Sequence, residues 1–154
     1  MKEGVAGVPG DYAANIGTTG ADYVLQAAYG IELPPNGAFQ LMRGIRFSEM
    51  RDGLSHTFLV GEKHVPQNFM FQFPWDCGIY DGHNPVCNTR CAGPGFPLAN
   101  QRNDLGWKFG SYHPGICQFV FCDGSVRSVA NGVNEFALGL FANREDGQTI
   151  PVDY

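Results

Sequence analysis

His113 and Asp123 are the residues most suited to chemistry in this chain, because an imidazole beside a carboxylate can bind a metal ion or transfer a proton. They enclose the segment HPGICQFVFCDG, in which nine residues separate the two side chains. If residues 116–122 form one strand, a rise of about 3.3 Å per residue places the pair about 20 Å apart. We therefore interpret both as structural: Asp123 makes a turn with Gly124, and His113 orders the loop before the strand.

The cysteines offer a second kind of chemistry. Three of them lie in a loop-like stretch rich in proline and glycine, namely Cys77, Cys87 and Cys91. With His83 these thiols could form a zinc site, but their spacing differs from the paired zinc-knuckle pattern. A disulfide among the three is the favoured interpretation, with free thiols as the other alternative. Cys117 and Cys122 lie five apart on one predicted strand, so they point to opposite faces and cannot bond each other.

Carboxylates in loops could bind calcium. Five aspartates have glycine or asparagine nearby: Asp52, Asp81, Asp104, Asp123 and Asp146. None shows the D-x-D-x-D-G spacing of a calcium loop, so turn formation is the favoured role. Asp104 and Asp123 are the candidate metal ligands, and calcium is the one candidate cofactor. Glu62 and Lys63 close a predicted strand, and we expect a solvated strand end there.

Four aromatic residues could line a groove for a glycan or a peptide: Trp75, Tyr80, Trp107 and Tyr112. The sequence contains no G-x-S-x-G, no H-E-x-x-H and no phosphate-binding loop. Catalysis by cysteine and histidine would need a thiol close to His113 or His64. We therefore expect a protein that is not an enzyme. The alternative is an extracytoplasmic module that binds a polymer or a small solute through the loops of residues 66–112.

Composition bounds the fold that must position these residues. The 154 residues fit one domain, 1–154, and the 21 glycines and 13% aromatic residues indicate many turns and β-strands. A net charge of -5 without a cluster of lysine and arginine argues against nucleic acid as a partner. The sequence contains no run of about 18 apolar residues, which is the length that would indicate a membrane-spanning helix.

The segment CQFVFCDGSVRSVA predicts a β-hairpin with Asp123 and Gly124 as a two-residue type I′ turn. In that register Phe121 faces Val126, and Phe119 faces Ser128. Phe119, Phe121 and Val126 are then assigned to the core.

Weaker patterns predict the other elements. Alternation predicts short strands at Phe39 to Leu41 and Ile45 to Phe47, a turn capped by Ser48, and a buried strand at residues 57–60. Asn134 should cap a short helix that brings Phe136 and Leu140 to the core, and residues 149–152 suggest an edge strand. We expect residues 1–37 to be mostly loop, with an amphipathic piece at 23–28, and residues 66–106 to be irregular.

Three pieces of the chain resemble one family in the same order. They are DYAANIG, IRFSEMRDGLSHTFLVGEK, and the stretch from His113 through Asp123 and Gly124. Together they are similar to planctomycete prepilin-type proteins of unknown function that carry an H-x(9)-D-G box.

The resemblance implies an α+β, pseudopilin-like head: an antiparallel sheet with a short C-terminal helix. It also implies an N-terminal helix that anchors the protein in the inner membrane, and we expect this sequence to be the head without that helix. The expected location is the periplasm or cell surface. Expected partners are other pilin-like subunits or a secretion machinery, with the head alone a monomer or weak dimer that contacts membrane only through the helix.

Overall fold

The computed structural model describes residues 7–20, 35–82 and 84–151. Five strands of this part form one sheet, in the order β3-β1-β2-β4-β5: β1 (Tyr12–Asn15), β2 (Phe58–Glu62), β3 (Thr89–Arg90), β4 (Ile116–Phe121) and β5 (Val126–Ala130). The C-terminal helix, Glu135–Ala142, follows β5, and a short helix, Pro85–Asn88, precedes β3. The α+β prediction is confirmed. The sheet is mixed rather than purely antiparallel, because β1 and β3 pair in parallel.

β4 and β5 form the predicted hairpin, but its loop is one residue longer than predicted. The Gly124 N–H donates to the Phe121 carbonyl, and the Phe121 N–H donates to the Ser125 carbonyl, both at 2.9 Å. The loop therefore has three residues, and Gly124 adopts a φ of 85°. A type I′ turn would also need positive φ at Asp123. Asp123 instead accepts hydrogen bonds from the Ser125 N–H and hydroxyl.

The longer loop shifts the register by one residue. Val126 lies opposite Val120, and Phe119 lies opposite Arg127. Because side chains alternate along a strand, this shift moves Val126 to the other face of the sheet. Val126 is 63% exposed while Phe119 is buried. The assignment of Val126 to the core is therefore wrong.

Four phenylalanines form the centre of the core between the sheet and the C-terminal helix. The Phe58 ring centroid lies 3.9 Å from that of Phe119 and 5.1 Å from those of Phe121 and Phe141. Phe58, Phe119 and Phe121 come from two paired strands, and Phe141 comes from the helix. The predicted strand at residues 57–60 is thus confirmed as β2, which runs to Glu62.

The C-terminal helix begins as predicted. The Asn134 side chain accepts a hydrogen bond from the Phe136 N–H at 2.8 Å and caps the first turn. Leu140 is buried, but Phe136 is 53% exposed. The core assignment of Phe136 is wrong because this residue lies in the first turn, whereas the buried residues of the helix all follow it.

Asn15 connects β1 to the rest of the core. Its buried amide donates to the carbonyls of Phe58 and Ala142, both at 2.9 Å, and its side-chain oxygen accepts from the Gly17 N–H. A buried amide needs such partners, and here they join two strands to the C-terminal helix. The glycine, alanine, proline and asparagine content of residues 1–37 predicts mostly loop, so β1 is not predicted from the sequence.

Residues 66–106 are largely irregular, as predicted, apart from the short helix and β3. Arg90 organises this region from a fully buried position. Its guanidinium donates to the carbonyls of Val86, Thr89, His64 and Trp75. One side chain therefore fixes carbonyls of two loop segments and of the short helix with the strand that follows it.

The two strands predicted around residues 39–47 do not form. Met42 has a φ of 57°, and the chain reverses between Gln40 and Arg43 in a tight turn. A 3-10 helix, Phe47–Glu49, replaces the second strand. The Glu49 carboxylate accepts from the Arg46 N–H at 3.0 Å, so Ser48 is not the cap. Residues 149–151 form no strand, and the amphipathic piece at 23–28 lies outside the described residues.

Candidate functional site

The sheet face opposite the C-terminal helix carries a row of apolar side chains. Residues directly opposite each other in an antiparallel pair project from the same face. Ala14 lies opposite Val60, Val60 opposite Val120, and Val120 opposite Val126. Val126 is 63% exposed, and the other three are half-buried. We name these four residues the open-face row.

The next row on the same face is polar. Tyr12 lies opposite Glu62, and Gln118 lies opposite Ser128. The Glu62 carboxylate accepts from the Gln118 N–H at 2.7 Å, which links β2 to β4 at this level. The open face is therefore apolar across its middle and polar beside the end of β2.

A cleft of about 600 Å³ lies where β1 begins and β2 ends. Tyr12 and Glu62 contribute to it from the two strands, and adjoining loops provide the other lining residues: Pro9, Asp11, Lys63, Val65, Met70, Phe71, Asp76, Gly110, Ser111, Tyr112 and His113. A space of this volume is typical of small-molecule sites. The cleft is thus large enough for a small ligand or one amino-acid side chain.

Lys63 contributes a buried ammonium group to the cleft wall. Its side chain is fully enclosed, with Nζ 3.6 Å from the Asp76 carboxylate and 3.4 Å from the Cys87 carbonyl, to which it donates. Burial lowers the pKa of Lys63, and the charge of Arg90 lowers it further, while Asp76 opposes both effects. The expectation of a solvated strand end is wrong for Lys63, because the loop carrying Asp76 covers it.

His113 and Asp123 have different partners at opposite ends of β4. His113 Nε2 lies 3.1 Å from the Glu62 carboxylate at the cleft. The Asp123 carboxylate accepts hydrogen bonds from Ser125, which lower the pKa of Asp123, and Arg127 lies 3.5 Å away. The structure therefore places His113 in the cleft and Asp123 in the hairpin turn, with Gly124 beside it.

Comparison with known proteins identifies the family of the chain. The family model SBP_bac_10, described as a protein of unknown function (DUF1559), matches residues 5–135. The chain belongs to this family. No curated protein and no solved structure matches the chain significantly. Membership of DUF1559 carries no description of function, so function has to be inferred from the residues of this chain.

The DUF1559 chain contains a disulfide between Cys77 and Cys87. This confirms the disulfide predicted among the three loop cysteines. Cys117 and Cys122 are buried thiols that do not bond each other. Burial raises the pKa of Cys117 above its ordinary range and that of Cys122 to about 11. Both are therefore protonated near neutral pH and are poor nucleophiles.

The disulfide removes two of the four proposed zinc ligands in this DUF1559 chain, and His83 lies outside the described residues. Within residues 7–20, 35–82 and 84–151, one group of histidine, cysteine or acidic side chains is close enough together to bind a metal ion: Cys77, Asp81 and Cys87. Both of its thiols are oxidised in the disulfide. A zinc site therefore does not form in this arrangement.

Asp104, the other candidate calcium ligand, stabilises a loop. Its carboxylate accepts from the N–H groups of Asn100 and Gln101, and Lys108 lies 3.7 Å away. Burial raises the pKa of Asp104, but these hydrogen bonds and Lys108 more than offset that effect, so the pKa is lowered. The contacts are those of an ordinary turn aspartate.

The structure brings together two of the four candidate ligand-contact aromatics. Trp75 and Trp107 stack with ring centroids 4.5 Å apart, and the Arg90 guanidinium lies 5.6 Å from the Trp107 centroid. Tyr112 lies on the cleft, whereas Tyr80 is 89% exposed and does not line it. The tryptophan pair therefore packs inside the loop region, and Tyr112 alone of the four lines the cleft.

Sequence reasoning missed most residues of the cleft. Lys63 and Asp76 meet only because the loop after β2 folds back over the strand end, which no local pattern predicts. Lys63 directly follows the last residue of β2, Glu62, and no pattern in this stretch reports that the lysine side chain turns inward. In the DUF1559 chain that lysine is buried.

Proposed function

We propose that this chain is the noncatalytic, extracytoplasmic head of a pilin-like assembly protein, and that an apolar helix of the assembly packs on the open-face row. The observation that carries the proposal is the contrast between the two faces of the sheet. The C-terminal helix covers one face, and the other presents an apolar row that ends in the exposed Val126. Exposed apolar surface of this kind is typical of association sites.

The dimensions of the open-face row suit one helix. The row crosses β1, β2, β4 and β5, and neighbouring strands lie about 4.8 Å apart, so its span is about 14 Å. An α-helix with its side chains is about 10–12 Å across. A helix that lies along the row would span it with about ten residues at a rise of about 1.5 Å per residue, and this width would leave the polar residues Gln118 and Ser128 of the next row at its margin.

The chemistry-bearing residues support a noncatalytic role. His113 contacts a carboxylate, and Cys117 and Cys122 are buried thiols with raised pKa values. Nucleophilic catalysis needs an activated nucleophile beside a base. These side chains instead have roles in packing and in loop structure.

The disulfide supports a location outside the cytoplasm. Structural disulfides form and persist in oxidising compartments such as the periplasm and cell surface. Cys77 and Cys87 are both buried, so their bond is protected from solvent. Over the described residues, no helix has the length and apolarity required to cross a membrane. The proposed partners are other pilin-like subunits or a secretion machinery.

Light scattering of the 154-residue chain at increasing concentration tests this role. We expect a monomer or a weak dimer, with any dimer contact using the open-face row, and no filaments. Val126→Asp should abolish any dimer at a cost of at most about 1 kcal/mol in stability, because Val126 lies in a strand but is 63% exposed. Tyr80→Asp, at a site 89% exposed and outside the row, is the matched control and should leave the dimer intact. Filaments, or a dimer insensitive to Val126→Asp, would contradict the proposal.

A further inference from the structure

We propose that the cleft beside Tyr12 and Glu62 binds an organic cation, an ammonium or guanidinium group that belongs to a free amine or to a basic side chain of a peptide. No residue of the open-face row lines this cleft. The proposal therefore goes beyond the assembly role and does not depend on it.

The charge of the cleft favours a cation. Three carboxylates line it, Asp11, Glu62 and Asp76, against the single ammonium of Lys63. With histidine neutral, the lining carries a formal charge of -2. The Lys63 side chain is fully enclosed and lies against Asp76, so its charge is already compensated inside the protein. The remaining carboxylates, Asp11 and Glu62, leave the cleft negative while His113, whose Nε2 lies 3.1 Å from the Glu62 carboxylate, is neutral.

Aromatic rings in the same cleft add a second attraction for cations. Tyr12 is 61% exposed, Phe71 is 67% exposed and Tyr112 is 49% exposed, and all three line the cleft. An aromatic face attracts a nearby ammonium or guanidinium through the negative charge of its π-system. Three rings beside two carboxylates provide both the apolar contacts and the charge that an alkylammonium ion needs.

Hydrogen bonds fix the ring of Tyr112 and the backbone of Phe71. The Tyr112 hydroxyl donates to the Val65 carbonyl at 2.7 Å. Phe71 has a φ of 58°, which is unfavourable for a bulky residue, and its N–H donates to the Asp76 carboxylate at 2.9 Å. The same carboxylate contacts Lys63, so one buried pair supports the cleft wall and an aromatic residue on it.

An anionic ligand fits the cleft poorly. The Lys63 side chain has no exposed surface, so its ammonium group is not accessible to a ligand. His113 already contacts the Glu62 carboxylate. An anion would have to approach Asp11 and Glu62 without an available positive charge. Like charges at close range disfavour binding, which gives the cleft its selectivity.

NMR titration of the ¹⁵N-labelled chain tests the proposal with two cationic probes. One is spermidine, and the other is a peptide with an acetylated N-terminus and one unmodified lysine. Salt of about 0.15 M limits nonspecific attraction to the acidic surface. We expect saturable shifts at Asp11, Tyr12 and residues 110–113, and none with glutarate. Tighter binding of spermidine would identify a free amine as the ligand, and tighter binding of the peptide would identify a basic side chain.

Conservative variants separate the attraction of the carboxylate charge from the attraction of the aromatic rings. Glu62→Gln keeps a hydrogen-bond acceptor for Gln118 and should weaken binding by about tenfold through loss of charge. Tyr12→Leu should weaken it about threefold, and Tyr12→Phe should retain it, because the ring carries the attraction.

Tyr80→Leu and Glu145→Gln are matched controls outside the cleft lining and should bind like the wild type. The proposal would be overturned by the absence of a saturable shift with either cation, by shifts spread over the whole acidic surface, or by equal weakening in the control variants. Equal binding of glutarate would overturn it as well.

Discussion

The Lys63 ammonium lies 3.6 Å from the Asp76 carboxylate, and the Lys63 side chain has no exposed surface. This buried pair joins the end of β2 to the loop that carries Phe71 and Trp75. Removing two charges from water is costly, and their mutual attraction offsets that cost only while both partners are present. The stability of the cleft wall therefore depends on the pair as a unit.

Asp76→Asn should lower the free energy of unfolding by about 3 kcal/mol, because it leaves the Lys63 charge buried and unpaired. Urea denaturation measures the change. The double variant Lys63→Met with Asp76→Asn should recover much of the loss, because it removes the uncompensated charge. A single variant as stable as the wild type would show that the pair does not support the fold.

Stability should rise with pH on the alkaline side of neutrality because of Lys63. Burial lowers its pKa below the ordinary value of 10.5, so between the folded-state pKa and 10.5 the unfolded chain binds more protons. Stability rises with pH wherever the unfolded state binds more protons. Thermal unfolding of the wild type and Lys63→Met across this range isolates the effect as a difference. Parallel curves for the two proteins would contradict a lowered pKa of Lys63 in the folded state.

Replacing Cys77 and Cys87 by serine should lower the free energy of unfolding by about 2 to 3 kcal/mol. The disulfide closes a loop with a sequence separation of 10, and a cross-link of this length reduces the entropy of the unfolded chain by about that amount. Mass spectrometry after alkylation should find these two cysteines protected until a reductant is added. Full alkylation of the unfolded, unreduced chain would rule out the disulfide.

Gly124→Ala should cost about 1 kcal/mol of stability, because Gly124 adopts a φ of 85° in the hairpin loop. Gly132→Ala is the matched control, since a Cβ there would also meet no neighbouring atom and its φ lies outside the left-handed region. The control should change stability by only a few tenths of a kcal/mol. Equal effects in chemical denaturation would refute the left-handed conformation of Gly124.

Local signals in the sequence predicted the elements that depend on local chemistry. The buried run before Glu62 forms β2, Asn134 caps the C-terminal helix, and Gly124 lies in the hairpin loop. The predicted register of the β4–β5 hairpin is wrong because two-residue and three-residue loops share the same Asp-Gly sequence signal. The side chain of Asp123 decides between them by bonding Ser125, and no pattern in the strands reports that choice.

The candidate site was less predictable, because its residues meet through long-range contacts. Asp76 covers Lys63, and Tyr12 pairs with Glu62 across strands that are far apart in sequence. The parallel pairing of β1 with β3 likewise places Asn15 opposite Arg90, two polar residues whose burial has no local signature.

Photo-crosslinking from the open-face row tests the assembly role most directly. A photoreactive amino acid at Val126, in cells that produce the protein, should crosslink to an apolar helical segment of the same protein or of a pilin-like partner. The same group at Tyr80, 89% exposed and outside the row, should give no such product. The predicted result is that the photoreactive group at Val126, but not the one at Tyr80, yields crosslinked peptides from an apolar helix. Absence of those peptides, or identical products from both positions, would contradict helix packing on the open face.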